Sequence, residues 1–307
     1  MERVRGCYNG CMAKKRLWIF LLCGALALYL LVDILGKSRI AVRTYSVESD
    51  KLTAGVRVAL LTDLHASRYG TNQEKLLRAV EAENPDLVLF GGDMAHHEGS
   101  DENAMLLMNA LAKEYPCYYV TGNHELATAR TAEIKGALKD AGVVMLAGDC
   151  VPFTAKNGQR IQLSGLDDYY RSGGWKTSDW ERAVSGTVPP ALTRQLKSAC
   201  AKADPALFTL LLAHRPERYE LYLPYGFDLI LSGHTHGGQV RIPGVLNGLY
   251  APGQGLFPHY AGGEYRFAHQ TLIVSRGLSK KPLWAARIGN PPELVIVNLV
   301  PAGQVSP

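Results

Sequence analysis

Short apolar runs alternate with amphipathic stretches along most of the chain, and this alternation predicts a sheet flanked by helices. The predicted strands cover residues 42–47, 56–61, 86–90, 117–121, 143–146, 159–165, 206–212, 227–231, 271–274 and 294–299. The predicted helices cover residues 72–83, 103–113, 131–141 and 191–202. Because strands separated by helices usually pair in parallel, we expect an α/β domain with parallel pairing.

Breaks in the pattern separate these elements. The first helix is predicted to stop before Asn84-Pro85, because proline disfavours helix in the residue that precedes it. Residues 36–55 are polar and β-branched, which predicts a linker that contains a candidate edge strand at 42–47. Residues 239–265 are rich in Gly, Pro and Tyr and are predicted to form a long irregular loop.

A continuous apolar segment near the start differs from all of these runs. Residues 17–35 contain one charged side chain, Asp33. As a helix, this segment would be about 28 Å long, close to the thickness of the hydrocarbon core of a bilayer. It lacks both a polar helix face and an Ala-x-Ala cleavage pattern, which disfavours a buried core helix and a signal peptide. We therefore predict an uncleaved transmembrane anchor at 17–35 after a basic tail at 1–16.

Basic residues around this segment predict its orientation. Five Lys or Arg precede it, and three follow it closely. The excess on the N-terminal side favours a cytoplasmic tail. We therefore expect a single-pass protein of the cell membrane whose globular domain lies outside the cytoplasm.

The net charge of +5 belongs to the N-terminal part of the chain. Residues 1–46 hold eight Lys or Arg and two acidic residues, which leaves 25 basic and 26 acidic residues in the rest. A basic segment beside an anchor favours anionic membrane lipids as partners. The nearly neutral domain lacks the basic excess of a nucleic-acid binder, and no protein partner can be inferred.

Polar patches follow five of the predicted strands. They are Asp63-Leu64-His65, Gly91-Gly92-Asp93, Gly122-Asn123-His124-Glu125, Ala213-His214-Arg215-Pro216 and Gly233-His234-Thr235-His236. Each patch alone is typical of a turn or of a structural histidine. Five at strand ends in one chain instead predict a shared site, because ligands bind beyond the carboxyl ends of the strands in open α/β sheets. Carboxylate, imidazole and amide groups without cysteine favour divalent metals other than a structural zinc.

These patches resemble the calcineurin-like metallophosphoesterase superfamily, whose signature is Asp-x-His, Gly-Asp, Gly-Asn-His-Glu, His and Gly-His-x-His. The resemblance covers about residues 56–299 and places a metallophosphoesterase domain at 56–300. It implies a four-layer α-β-β-α sandwich of two mixed sheets. The tail of the last motif and the string at 274–278 are similar to the YaeI-type branch of bacterial phosphodiesterases.

The resemblance implies two divalent metal ions, which the ligand chemistry allows to be manganese, iron, zinc or cobalt. It assigns Asp63, His65 and His236 to the first metal. It assigns Asn123, His214 and His234 to the second metal, and Asp93 bridges the two.

The same resemblance implies that His124 is a general acid that protonates the leaving group. Glu125 is expected to be structural. Many members carry an Asp shortly after the Gly-Asp motif, but this chain reads Asp93-Met94-Ala95-His96-His97, so the residue that orients His124 is unassigned. His96 and His97 are candidates for substrate contact or for a solvated loop. Candidate phosphate-binding residues are Arg68, Arg215, Arg276 and Arg287, each of which could equally form a salt bridge.

The expected function is therefore that of a membrane-anchored phosphodiesterase or pyrophosphatase. The branch resemblance and the anchor suggest a lipid-linked phosphoester such as UDP-2,3-diacylglucosamine, although an outward-facing domain would not meet a cytoplasmic precursor. Two alternatives remain open. One is a non-catalytic, metal-stabilised binding protein at the membrane, and the other is a phosphomonoesterase or protein phosphatase of the same superfamily.

Overall fold

The structure is a computed structural model that describes residues 18, 20, 24, 39–96, 99–169, 190–280 and 287–303. The chain divides into two compact units, Met1–Arg39 and Ile40–Pro307. The predicted tail at 1–16 and most of the predicted anchor at 17–35 lie outside the described residues. Trp18, Phe20 and Gly24 are helical. Among the described residues, no helix has both the length and the apolar character needed to cross a bilayer.

The second unit contains the strands and helices that the pattern predicts. Its strands are β1 (Ala41–Ser49), β2 (Val56–Leu61), β3 (Leu87–Phe90), β4 (Cys117–Tyr119), β5 (Val144–Met145), β6 (Asp149–Thr154), β7 (Arg160–Leu166), β8 (Phe208–Ala213), β9 (Leu229–Ser232), β10 (Tyr250–Ala251), β11 (Gly255–Leu256), β12 (Gly263–Arg266), β13 (Thr271–Val274) and β14 (Glu293–Pro301). Its α-helices are α1 (Glu74–Glu83), α2 (Glu102–Glu114), α3 (Asn123–Ala127), α4 (Thr131–Asp140), α5 (Pro190–Ala201) and α6 (Tyr219–Tyr222). Each predicted strand and helix overlaps one of these elements.

The strands form two larger sheets and one short hairpin. The first sheet has the order β1-β14-β2-β3-β4-β5, and the second has the order β12-β13-β9-β8-β7-β6. In the first sheet only β14 and β2 pair antiparallel. In the second, the outermost strands β12 and β6 are antiparallel to their neighbours. The α/β fold with two mixed sheets is thereby confirmed.

Three hydrophobic cores hold the layers together. One core contains side chains of both sheets, such as Leu60 and Leu89 from the first and Leu210 from the second. The other two cores lie between each sheet and its helices. Successive residues of a strand point to opposite faces, so Leu60 packs against the other sheet while Leu61 packs with the helices. Burial of both faces explains why the strand sequences are continuously apolar.

The predicted long irregular loop at 239–265 is wrong in part. It includes the β10–β11 hairpin and β12, which pairs antiparallel with β13 at the edge of the second sheet. As an edge strand, β12 pairs only with β13. Its Gly-rich surroundings lack the alternation of apolar and polar residues that would predict a strand. The strand β6 was not predicted either, because it contains Pro152. Proline is tolerated there because β6 is the other edge of the same sheet.

Candidate dinuclear metal site

The predicted ligands come together at the carboxyl ends of five strands from both sheets. Asp63, Asp93 and Asn123 follow β2, β3 and β4 of the first sheet. His214 and His234 follow β8 and β9 of the second sheet. The two sheets pack face to face, so these ends meet at one edge of the sandwich.

One group of candidate ligands consists of Asp63, His65 and His236, all of which are buried. One ligand atom from each lies within 4.8 Å of those of the other two. The Nε2 atom of His236 is 3.2 Å from Nε2 of His65 and 3.5 Å from Oδ1 of Asp63. These are the residues that the resemblance assigns to the first metal.

A second group consists of Asp93, His214 and His234, with the same spacing and burial. The Oδ2 atom of Asp93 is 3.2 Å from Nε2 of His214. The same oxygen is 3.8 Å from Nε2 of His65, which belongs to the first group. Asp93 therefore lies between the two groups, where a bridging ligand is expected.

One orphaned atom shows that these residues fit metal ions. Oδ1 of Asn123 is buried, and within the described part of the chain it has no hydrogen-bond partner. A buried polar atom without a partner carries a desolvation penalty of about 1–3 kcal/mol. Coordination of a divalent cation would remove that penalty, and amide oxygen and imidazole nitrogen are both suitable donors.

The backbone at the ligands is strained. Asp63, His65, Asp93, His234 and His236 all have φ between 46° and 70°, a region that side chains other than glycine rarely adopt. Hydrogen bonds between the loops hold this conformation, such as Asp63 N to Gly92 O at 3.0 Å and His65 N to Asp93 O at 3.0 Å. Strain of this kind clusters at functional sites, where the surrounding structure fixes it.

Gly92 is required by the close approach of these loops. Its φ is 88°, and an added Cβ would lie 2.5 Å from the backbone nitrogen of Gly122 and 2.8 Å from Nδ1 of His214. The Gly-Gly-Asp string therefore forms a turn and also allows the loops of the site to pack closely, because Gly92 has no side chain.

Burial sets the protonation of the imidazoles before any metal binds. It lowers the pKa of His65, His234 and His236 well below the usual value, so these rings are neutral and can act as ligands at neutral pH. Burial would also lower the pKa of His214, but the charge of Asp93 outweighs it and raises the pKa to about 10.

His124 lies beside the ligands and belongs to neither of the two groups above. Its backbone N–H donates to Oδ1 of Asp93 at 2.8 Å, and its Nε2 is 4.0 Å from Oδ2 of Asp93. Its side chain is 12% exposed, whereas that of Asp93 is 1% exposed. An imidazole at the open side of the ligand cluster can reach a substrate.

Glu125 ties two of the loops together. Its buried carboxylate accepts hydrogen bonds from the backbone N–H groups of Asp93 at 2.9 Å, Ala95 at 3.0 Å and Gly122 at 2.9 Å. Burial and the nearby charge of Asp93 raise its pKa to about 7. These three hydrogen bonds are to the protein backbone, which agrees with the structural role expected from the sequence.

A family model for calcineurin-like phosphoesterases matches residues 56–238, the stretch that carries every ligand described above. The chain belongs to the calcineurin-like phosphoesterase family. This confirms the resemblance seen in the sequence and makes the protein a metal-dependent phosphoric ester hydrolase.

Relatives of this phosphoesterase include bacterial and animal proteins. Phosphodiesterase YaeI of Escherichia coli is 28% identical over 80% of this chain and 83% of its own length. A bovine transmembrane protein with metallophosphoesterase domain is 29% identical over 77% of this chain and 52% of its own length. Among solved structures, the phosphopantetheinyl hydrolase of Mycobacterium tuberculosis matches with a TM-score of 0.47 and 14% identity, over 83% of this chain and 99% of its own.

Of the candidate arginines, the phosphoesterase site includes Arg215. Its Nη1 is 3.0 Å from Nε2 of His234, and its Nε donates to Oδ2 of Asp168 at 2.6 Å. Its guanidinium also lies over the ring of Tyr169, 5.3 Å from the centroid. Glu217 accepts from Nη1 of Arg215 at 3.3 Å, and its Oε1 lies 3.7 Å from Nε2 of His234.

Asp168 and Glu217 are site residues that the sequence reasoning missed. The only signal for Asp168 in the sequence was its place in a polar string that follows β7. This string continues into residues 170–189, which lie outside the described residues. Glu217 follows the His214 motif by three positions, in a short 3-10 helix that the apolar pattern cannot reveal.

The other three candidate arginines, like Arg215, form hydrogen bonds with groups of the protein. The exposed Arg68 donates from Nε to the carbonyl of Gly70 at 3.1 Å. Arg276 is buried and pairs through Nη1 with Glu293 at 3.0 Å, while its Nη2 donates to Asn247 and Gly262. Arg287 donates to the carbonyls of Ser279, Asn290 and Arg276. Among the described residues, none of the hydrogen bonds of these three guanidiniums reaches a candidate ligand. The charge of Arg287 adds to burial in lowering the pKa of His236. The substrate roles of all three stay predictions.

Proposed function

We propose that this protein is a dinuclear phosphodiesterase or pyrophosphatase. The observation that carries the proposal is the pair of buried ligand groups with Asp93 between them, and with His124 beside them but outside both. A non-catalytic scaffold would need the ligands alone. An additional imidazole at the open side of the cluster is the group that a leaving alkoxide requires.

Different residues of the site would bind the metals, donate a proton and bind the phosphate. Asp63, His65 and His236 would hold one divalent cation, and Asn123, His214 and His234 would hold the other, with Asp93 between them. When bound, such a pair lowers the pKa of a water and neutralises phosphoryl oxygens. His124 donates a proton to the leaving oxygen, and Arg215 binds a non-bridging phosphate oxygen.

Hydrolysis of bis-para-nitrophenyl phosphate tests the proposal. The full chain, purified in detergent and loaded with Mn²⁺, is expected to hydrolyse this diester faster than para-nitrophenyl phosphate, and a chelator should stop both reactions. Preference for the monoester would favour a phosphomonoesterase instead. Full metal loading without hydrolysis of either compound would favour the binding-protein alternative.

Arg215→Gln is expected to lower kcat/KM for the diester about tenfold or more, because a hydrogen bond to a charged group contributes about 1.5–3 kcal/mol. The matched control is Arg266→Gln, since the Arg266 side chain is 71% exposed and its partner is Glu264. Initial rates over a substrate range give the constants. Metal analysis and thermal unfolding on the same samples separate lost substrate binding from a disturbed site. Unchanged kcat/KM at full metal content would exclude the phosphate-binding role of Arg215.

We further propose that residues 17–35 anchor the enzyme in the cell membrane with the catalytic unit outside the cytoplasm. The length and apolar composition of this segment and the basic excess before it support the proposal. The name of the bovine relative also describes a transmembrane protein. Protease added to intact spheroplasts should digest the phosphoesterase domain. A domain that survives until the cells are lysed would contradict this orientation.

An enzyme held at a bilayer is suited to an amphiphilic phosphoester. We propose a phosphorylated lipid or a lipid-linked nucleotide, with membrane lipids as the surrounding partners. UDP-2,3-diacylglucosamine is the specific compound to test if the protease experiment places the catalytic unit in the cytoplasm, where this precursor occurs. A panel of lipid phosphodiesters and pyrophosphates, assayed in mixed micelles against their water-soluble headgroups, measures the preference. Equal rates on lipid and headgroup would rule out recognition of the lipid part.

A further inference from the structure

The loop after the Gly-Asp motif brings a third histidine to the catalytic cluster. One ring nitrogen from each of His65, His96 and His124 lies within 4.8 Å of those of the other two. The ring centroid of His96 is 4.8 Å from that of His124 and 5.3 Å from that of His65. His97, its neighbour, lies outside the described residues.

The backbone holds His96 in this place. Glu125, which follows His124 in the chain, accepts the N–H of Ala95 at 3.0 Å and that of Asp93 at 2.9 Å. Ala95 directly precedes His96. A single buried carboxylate therefore fixes the loop that carries His96 against the turn that carries His124.

The ring of His124 contacts two other imidazoles. It lies edge-on to His65, with centroids 4.4 Å apart and planes at 88°, and it is tilted by 47° from His96. Both separations are in the range of direct aromatic contact. His65 already belongs to the first ligand group, so its ring orientation is set by that group. His96 is the member of the cluster that has no other assigned task.

From this geometry we propose that His96 is the positioning residue of His124: it restricts the imidazole to the orientation in which its proton reaches the leaving group. The inference rests on the proposed phosphodiester hydrolysis. Many members of the family carry an Asp shortly after the Gly-Asp motif, and His96 lies in that part of this chain. His96 would therefore take the orienting role that the sequence alone left unassigned. Orientation matters because proton transfer needs hydrogen-bond reach in the reacting complex.

A third metal site is the competing interpretation of the same cluster, and two features disfavour it. Both His96 and His124 are partly exposed, whereas every member of the other two groups is buried. His65 would have to serve two groups.

A double-mutant cycle tests the inference. The full chain is prepared with His96→Ala, with His124→Ala and with both, and kcat is measured on a dialkyl phosphate ester and on bis-para-nitrophenyl phosphate. His96→Ala is expected to lower kcat on the dialkyl ester about tenfold or more, with less effect on the nitrophenyl ester, whose leaving group needs little protonation. In the His124→Ala background the same change should have no further effect, because His96 acts through His124.

Controls separate this role from others. His96→Gln, which keeps a polar side chain, shows whether any loss follows from misfolding of the loop, and His269→Ala changes an exposed histidine of the same unit. Losses that multiply in the double variant would show that His96 acts on the substrate independently and would overturn the proposal. Loss of bound metal in His96→Ala would identify a ligand, with the same consequence. A wild-type chain that hydrolyses neither ester with Mn²⁺ would overturn the proposed function and this inference with it, whereas an active wild type with unchanged His96 variants would overturn the inference alone.

Discussion

Asp93→Asn is expected to reduce the bound metal from two ions per chain to less than one and to take turnover below detection. The variant keeps the size of the side chain and an oxygen that can accept the backbone N–H of His124. It removes the negative charge that lies 3.2 Å from His214 and 3.8 Å from His65, between the two ligand groups. A neutral amide cannot balance two dications that lie close together.

Metal analysis after dialysis, together with hydrolysis of bis-para-nitrophenyl phosphate, measures this effect. Thermal unfolding adds an independent measurement, since a bound ion stabilises the folded state by mass action. Mn²⁺ should raise the melting temperature of the wild type and leave that of Asp93→Asn nearly unchanged. Asp149→Asn is the matched control, because Asp149 is a solvent-accessible partner of Lys202. Two ions bound to Asp93→Asn at wild-type affinity would show that the carboxylate is not a shared ligand.

His124→Ala is expected to keep both metals and to lose on the order of a hundredfold or more in kcat, the usual size of general acid catalysis. The side chain lies outside the two ligand groups, so its removal leaves their donor atoms in place. The backbone N–H that donates to Asp93 is also retained in alanine.

The leaving group provides the control within this experiment. The loss should be large for an alkyl leaving group and small for para-nitrophenolate, which departs without a proton. His269→Ala again serves as the matched variant, since that histidine is exposed. Normal turnover of the dialkyl ester at full metal content would exclude His124 as the acid. A fall in metal content would instead make His124 a ligand.

Most of the predicted strands could be recognised because they are buried on both faces. Residues such as Leu60, Leu61 and Leu89 need a hydrophobic neighbour whichever way they point, and this leaves continuous apolar runs in the sequence. The two edge strands of the second sheet were not predicted, because they are only partly buried and their sequences lack a periodic apolar pattern. Pro152 in β6 and the Gly-rich surroundings of β12 gave no periodic signal.

The site could be predicted in composition and only partly in geometry. Motif order picked out Asp63, Asp93 and His214 as members of one cluster, because each follows an apolar strand. The pairing of Arg215 with Asp168 joins residues 47 positions apart, and no local pattern records such a contact. His96 likewise looked like one of two histidines in a polar loop.

The sequence by itself determined the family, most of the strands and helices, and the chemical types of the candidate metal ligands. These properties follow from side-chain chemistry and from periodicity over a few residues. Only the tertiary structure decided that Asp93 lies between two ligand groups, that Glu125 fastens one catalytic loop to another, and that His96 rests against His124. Such contacts depend on where two sheets place their strand ends in space, and that placement results from packing over the whole domain.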